Sequence, residues 1–175
     1  RPANFPPGAP GRGLALLTLA SGVRVALMNL QGRTFMEPID CPFAAAERLL
    51  SEIPEDVHVR ILDFHAEATS EKLAMGFYLD GRVSAVVGTH THVQTSDARV
   101  LPGGTAYVTD LGMCGPDLSC LGMDPAVILA RFTTALPQRF ELAKGPAVLQ
   151  GAVFDIDEAS GRATDIRLFN ETHKD

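Results

Sequence analysis

Val57-His58-Val59-Arg60-Ile61-Leu62-Asp63-Phe64 and Val83-Ser84-Ala85-Val86-Val87-Gly88 decide the fold. Both runs are short and dominated by apolar and β-branched residues, the composition of strands buried inside a sheet. Between them, Thr69-Ser70-Glu71 offers cap hydroxyls and a first-turn acid, which favour a helix N-terminus. Leu73, Ala74, Phe77 and Tyr78 are that helix's expected buried face. On the N-terminal side, 13–20 and 23–30 read as a hairpin around Ser21-Gly22. Pro42 opens a helix whose apolar spacing (Phe43, Ala46, Leu49, Leu50, Ile53) ends before Pro54. On the C-terminal side, 105–110 reads as a strand. Asp124-Pro125 starts a capped helix that runs to about Leu136, and strands are expected near 138–143, 147–156 and 162–169. The fold class is α/β, with buried strands in the middle and antiparallel hairpins flanking them.

The 175 residues suit one domain, with 46% hydrophobic and 21% charged residues, an ordinary globular balance. A net charge of −6 disfavours stable nucleic-acid binding through phosphates. The sequence contains no Trp and only two Tyr, too little for a base-stacking platform. No run of about 18 apolar residues is present, so no membrane span is expected. Cys41, Cys114 and Cys120 form no CxxC pair, and an odd count without a framework fits a reducing cytoplasm. The Pro/Gly-rich 1–10 segment reads as a link between elements, as though the chain opened inside a loop.

In α/β sheets, function gathers where loops leave the C-terminal ends of central strands. His65 stands at one such exit. His90 and His92 stand at the next, in Gly88-Thr89-His90-Thr91-His92-Val93-Gln94-Thr95. Neutral imidazole is a ligand for zinc, manganese and iron. In extended backbone, residues i and i+2 face one side, so His90 and His92 can reach one ion or two neighbours. The alternative is that both merely hydrogen-bond within a loop. Asp63 shares a strand face with His65 and either orients it or is a satisfied core carboxylate. Glu67 and Asp110 are candidate ligands or supporting groups, a solvated loop role being the preferred reading for Glu67. Thr89, Thr91 and Thr95 offer hydroxyls to a phosphate or serve turn chemistry. Gly112, Gly115 and Gly122 suggest a flexible loop over 110–124 that covers the site.

Asp63-Phe64-His65-Ala66-Glu67-Ala68-Thr69-Ser70-Glu71-Lys72 closely resembles the YmdB type of bacterial metallophosphoesterase. So do Asn29-Leu30-Gln31-Gly32-Arg33-Thr34-Phe35, Gly88 to Thr95, Thr109-Asp110-Leu111-Gly112-Met113 with Gly115-Pro116, and the opening Arg1-Pro2-x-Asn4. The resemblance implies a calcineurin-like α/β/β/α sandwich with mixed sheets. It also implies a dinuclear centre of two divalent ions (iron, manganese or zinc) in the complete enzyme, and hydrolysis of 2′,3′- and 3′,5′-cyclic AMP. His65 and His90 then correspond to ligands of one ion and His92 to a ligand of the other. Independently of the resemblance, Thr89, Thr91 and Gly112 are candidates for a substrate loop.

The family's Gly-Asp-x-x-Gly, Gly-Glu-Asn and Gly-Asn-His blocks do not occur in these 175 residues. Residues 1–175 are therefore expected to form a single metallophosphoesterase domain that is the C-terminal two-thirds of such an enzyme, lacking its N-terminal strands. With the bridging carboxylate and proton donor absent, no catalytic residue is assigned and little turnover is expected. A sheet edge left open by the absent strands would invite pairing between copies, hence a homo-oligomer. Two other functions remain open: a non-catalytic metal-binding module, and a metallophosphatase of the capsule-biosynthesis type.

Overall fold

The computed structural model describes residues 1–173. β1 (Leu14–Thr18) and β2 (Arg24–Gln31) form the expected hairpin. α1 (Pro42–Glu52), β3 (Val59–His65), α2 (Thr69–Tyr78) and β4 (Ala85–Thr89) follow. Then come β5 (Arg99–Val100), β6 (Ala106–Val108), β7 (Cys114–Pro116), α3 (Pro125–Thr134), β8 (Ala147–Ile156) and β9 (Ala163–His173). One sheet has the order β1-β2-β3-β4-β6-β5, and a smaller one β7-β8-β9. β2, β3, β4 and β6 run parallel, with β1 and β5 antiparallel at the edges. Among the described residues, no helix is long and apolar enough to cross a membrane.

Strand alternation divides the larger sheet cleanly. Met28, Leu30, Leu62, Phe64, Val86 and Tyr107 face α1 and α2 and form the main core with Ala45, Ala46, Leu49, Met75 and Leu79. On the opposite face, Ile61, Ala85 and Ala106 pack against Phe154, Ala163 and Ile166 of the smaller sheet. Its contacts concentrate on β5 and β6. Leu17 and Leu27 on β1 and β2 remain exposed.

α2 departs from expectation. Its buried residues are Glu71, Lys72, Met75 and Gly76, while Phe77 and Tyr78 are exposed. Apolar spacing misorients this helix because two charged side chains find partners inside. Glu71 accepts from the N–H groups of Arg33 (3.1 Å) and Thr34 (3.2 Å), and Lys72 reaches Asp110. Tyr78 instead bonds Glu47 and packs edge-on against Phe43. Gly76 is required by the close approach of helix and sheet: a Cβ there would lie 2.6 Å from the Tyr107 ring.

Elsewhere the differences are smaller. Asp124 caps α3 through the N–H groups of Ala126 and Val127, as its sequence suggests, yet α3 has no buried residue. The described core lies between α1 and α2, the larger sheet and the smaller sheet, and α3 adds no buried side chain to it. The strand expected at 138–143 is loop, with one bridge between Met123 and Leu142. Within the 110–124 segment, Ser119 Oγ donates to Pro116 O and accepts from the Gly122 N–H, closing a tight turn.

Candidate functional site at two strand exits

His65 ends β3 and is the registered neighbour of Thr89, which ends β4. Both lie on the face opposite the helices, as does Asp63. Asn29 Nδ2 donates to Asp63 Oδ2 at 2.8 Å, and the Thr89 hydroxyl donates to Asp63 Oδ1 at 2.8 Å. With its own proton committed to Asp63, Thr89 Oγ1 can only accept from His65 Nδ1, 3.1 Å away. The relay fixes His65 as the Nδ1–H tautomer and leaves Nε2 with a lone pair. Asp63 thus connects to His65 by way of Thr89.

His65 Nε2 lies 3.0 Å from His90 Nδ1, with the rings edge to face at 4.7 Å between centroids. His90 Nε2 is 3.1 Å from Glu67 Oε2. Burial, followed by the neighbouring His90, pushes the His65 pKa below its ordinary value, which favours the neutral, ligand-competent ring. Glu67 remains an exposed loop residue, with its carboxylate beside His90.

The His90-Thr91-His92 segment departs from the extended backbone expected of it. His90 (φ 107°) and His92 (φ 63°) both have positive φ, so the motif is not extended. Both still line one cavity of about 370 Å³ with His65, Gly112, Met113 and Leu121. His92 Nδ1 sits 3.3 Å from Leu121 O, away from the other two rings. Among the described residues, no three His, Cys, Asp or Glu side chains are grouped to hold an ion.

Asp110 holds this bend together. It is fully buried, and its Oδ2 accepts from the Thr91 hydroxyl (2.7 Å), the Thr91 N–H (3.0 Å) and Lys72 Nζ (2.8 Å). Its Oδ1 takes the Gly112 N–H at 2.9 Å. Burial works to raise its pKa; the Lys72, Gly112 and Thr91 bonds outweigh it, and the carboxyl titrates below its ordinary range. Asp110 is thus a buried anchor and does not face the cavity. The hydroxyl protons of Thr89 and Thr91 are committed to Asp63 and Asp110 respectively. Gly112 (φ 89°) fits because a Cβ there would collide with Gln150 Oε1.

Sequence reasoning missed Lys72, Glu71 and Gln94. Gln94 Nε2 donates to Leu111 O, Gly151 O and Phe169 O at 3.1–3.2 Å, tying the histidine loop to β8 and β9 of the second sheet. A Lys and a Glu on an amphipathic helix read as solvated. The available signal was their position directly after the Phe-His-Ala-Glu block.

The profile of the family described as YmdB-like protein matches residues 1–169. The chain belongs to this family. It is 54% identical over 175 residues to a 2′,3′-cyclic-nucleotide 2′-phosphodiesterase of Bacillus subtilis, covering 99% of this chain and 66% of the relative. A crystal structure of a hypothetical protein from Thermus thermophilus superposes with a TM-score of 0.92 at 44% identity, over 99% of this chain and 67% of that one. A phosphatase of Mycoplasma pneumoniae superposes with a TM-score of 0.88 at 32% identity, over 100% and 64%. The chain spans about two thirds of the length of these YmdB-like relatives and solved structures.

Proposed function

We propose that this chain carries the histidine half of a metal-dependent phosphodiesterase site that acts on cyclic nucleotides, 2′,3′-cyclic AMP foremost and 3′,5′-cyclic AMP besides. The complete enzyme would use two divalent ions, of iron, manganese or zinc. The observation that carries this reading is the convergence of His65 Nε2 and His90 Nδ1 at 3.0 Å, with the His65 tautomer set by Thr89 and Asp63. Two nitrogens each about 2.0–2.1 Å from one ion stand at about this separation, so the pair fits a cation in place of the proton they share. The name of the Bacillus relative supports the substrate class. The fold is read as the calcineurin-like α/β/β/α sandwich, and the remaining donors as belonging to the part of the relatives outside the aligned two thirds.

In this proposal His65 and His90 hold one ion and His92 turns from Leu121 O to hold the second. Glu67 balances charge at His90. Asp63 and Thr89 keep the His65 lone pair outward. Asp110, through Thr91, sets the bend that presents both loop histidines. Gly112 keeps the cavity wall free of side chain. The ions, when bound, would supply Lewis acidity toward phosphoryl oxygens and an acidified water.

The test is hydrolysis of 2′,3′-cyclic AMP with added manganese, measured side by side for this chain and for a chimera carrying the remaining third of the Bacillus relative. The chimera is expected to turn over and to lose activity on chelation, with His65→Ala costing several orders of magnitude. Strong turnover by the 175 residues alone contradicts the half-site. Inactivity of both contradicts the phosphodiesterase reading.

A further inference from the structure

A second cleft opens at the other end of the larger sheet. It measures about 310 Å³ and is lined by His58 and Arg60 at the start of β3, Arg82 and Val83 before β4, and Ser160 and Arg162 in the turn between β8 and β9. At about 3.3 Å per strand residue, Arg60 is roughly 17 Å along β3 from His65, so the two sites are separate. The turn is seated firmly: a Cβ on Gly161 would lie 2.1 Å from His58 O.

The charge in this cleft is unusual for a chain with net charge −6. Arg82 is neutralised by a two-pronged pair with Glu47 at 2.7 and 2.8 Å. Among the described residues, Arg60 and Arg162 make no ion pair. Arg60 spends Nε on Val57 O at 2.8 Å, leaving both terminal nitrogens. Arg162 spends Nη2 on Gly103 O at 2.8 Å, leaving Nε and Nη1. The nearby carboxylates are turned elsewhere. Asp80 accepts from the N–H groups of Gly103 and Thr105, and Asp157 accepts from the Ala159 N–H and the Ser160 hydroxyl. Two guanidiniums, one on β3 and one in the turn before β9, each pinned by one nitrogen to a backbone carbonyl, line the same cleft. That is the arrangement suited to several oxygens of one anion.

We propose that this cleft is an anion site for a small phosphorylated molecule, with the phosphate held between Arg60 and Arg162 and with His58 and Ser160 at the rim. It does not depend on the phosphodiesterase reading. A phosphate group offers enough acceptor oxygens for both arginines, and the volume accommodates a modest organic portion as well.

Titration of the 175-residue chain with inorganic pyrophosphate, in excess EDTA so that no divalent ion bridges the probe to the distant histidines, tests the site. Saturable thermal stabilisation is expected, with a shift of the His58 ring resonances in NMR spectra while those of His92 stay in place. Arg162→Gln and, separately, Arg60→Gln should weaken the apparent affinity about tenfold or more, since each removes charge-assisted bonds. His92→Ala should keep the affinity of the parent chain. No saturable stabilisation, unmoved His58 resonances, or undiminished affinity in both arginine variants overturns the proposal. The His58 resonance of the parent chain carries the test if either variant fails to fold.

Discussion

Lys72 Nζ lies 2.8 Å from Asp110 Oδ2, and the two side chains are 1% and 0% exposed. The pair joins α2 to the end of β6, and through the Thr91 N–H and hydroxyl it also sets the bend that carries His90 and His92. Removing one partner leaves an uncompensated charge in the interior, a loss typically of about 3–5 kcal/mol. Lys72→Met should therefore cost about that much in denaturant unfolding. A Lys72→Met/Asp110→Leu double variant should recover part of it. The double variant should nevertheless lose divalent-ion affinity, because Thr91 loses its anchor. Equal ion binding in the double variant and the parent, followed by calorimetric titration with manganese, would show that the bend does not depend on Asp110.

Thr89→Val keeps the shape of the side chain but breaks the relay from Asp63 to His65. Its cost in stability should be about 1 kcal/mol, a typical hydrogen-bond loss. Its cost in manganese affinity should be larger, about 10–100-fold, as for other groups that orient a metal-binding histidine. Thr89→Ser should restore most of the affinity. Calorimetric titration of the three proteins separates orientation from packing.

His92 occupies the left-handed region and makes one exposed contact, to Leu121 O. An L-residue there costs roughly 1–2 kcal/mol relative to glycine. His92→Gly should raise the unfolding free energy by about 1 kcal/mol while weakening metal binding. A thermal melt with no gain would show that the surrounding loop already relieves the strain.

Much of this was legible in the residues, for physical reasons that can be named. β4 is buried along almost its whole length and β3 buries Leu62 and Phe64 against the helices, so both show as apolar runs; their exits then locate His65 and His90. Asp124-Pro125 was legible because capping is local. α2 was not: the face it buries is set by Asp110 and by the Arg33-Thr34 backbone, distant in sequence, and no periodicity encodes a buried lysine whose partner lies on another strand. The His-x-His geometry was misread for a similar reason. Its shape comes from Asp110 gripping Thr91, and the extended form assumed for the motif never occurs.

Acid should reveal the same anchor. Burial tends to raise the pKa of Asp97, but bonds from the Thr109 and Thr95 hydroxyls and the Thr109 N–H outweigh it and leave the value below the ordinary 3.8. Asp110 is lowered in the same sense. A carboxyl lowered in the fold contributes stability that is complete above its unfolded value and is lost as pH falls through the folded one. Stability should therefore decline below about pH 4, and Asp97→Asn should flatten that decline. Unfolding free energies between about pH 7 and pH 2 provide the check.

Gln94 has a mechanical consequence. Because one amide nitrogen is shared among Leu111 O, Gly151 O and Phe169 O, the smaller sheet works as a handle on the histidine loop. If β8 and β9 slide over the larger sheet, they pull on the residue two places beyond His92, and the imidazoles are re-aimed. Alignment of the rings and seating of one sheet on the other are thus a single degree of freedom, and a side chain too large between the sheets would register first as misdirected histidines.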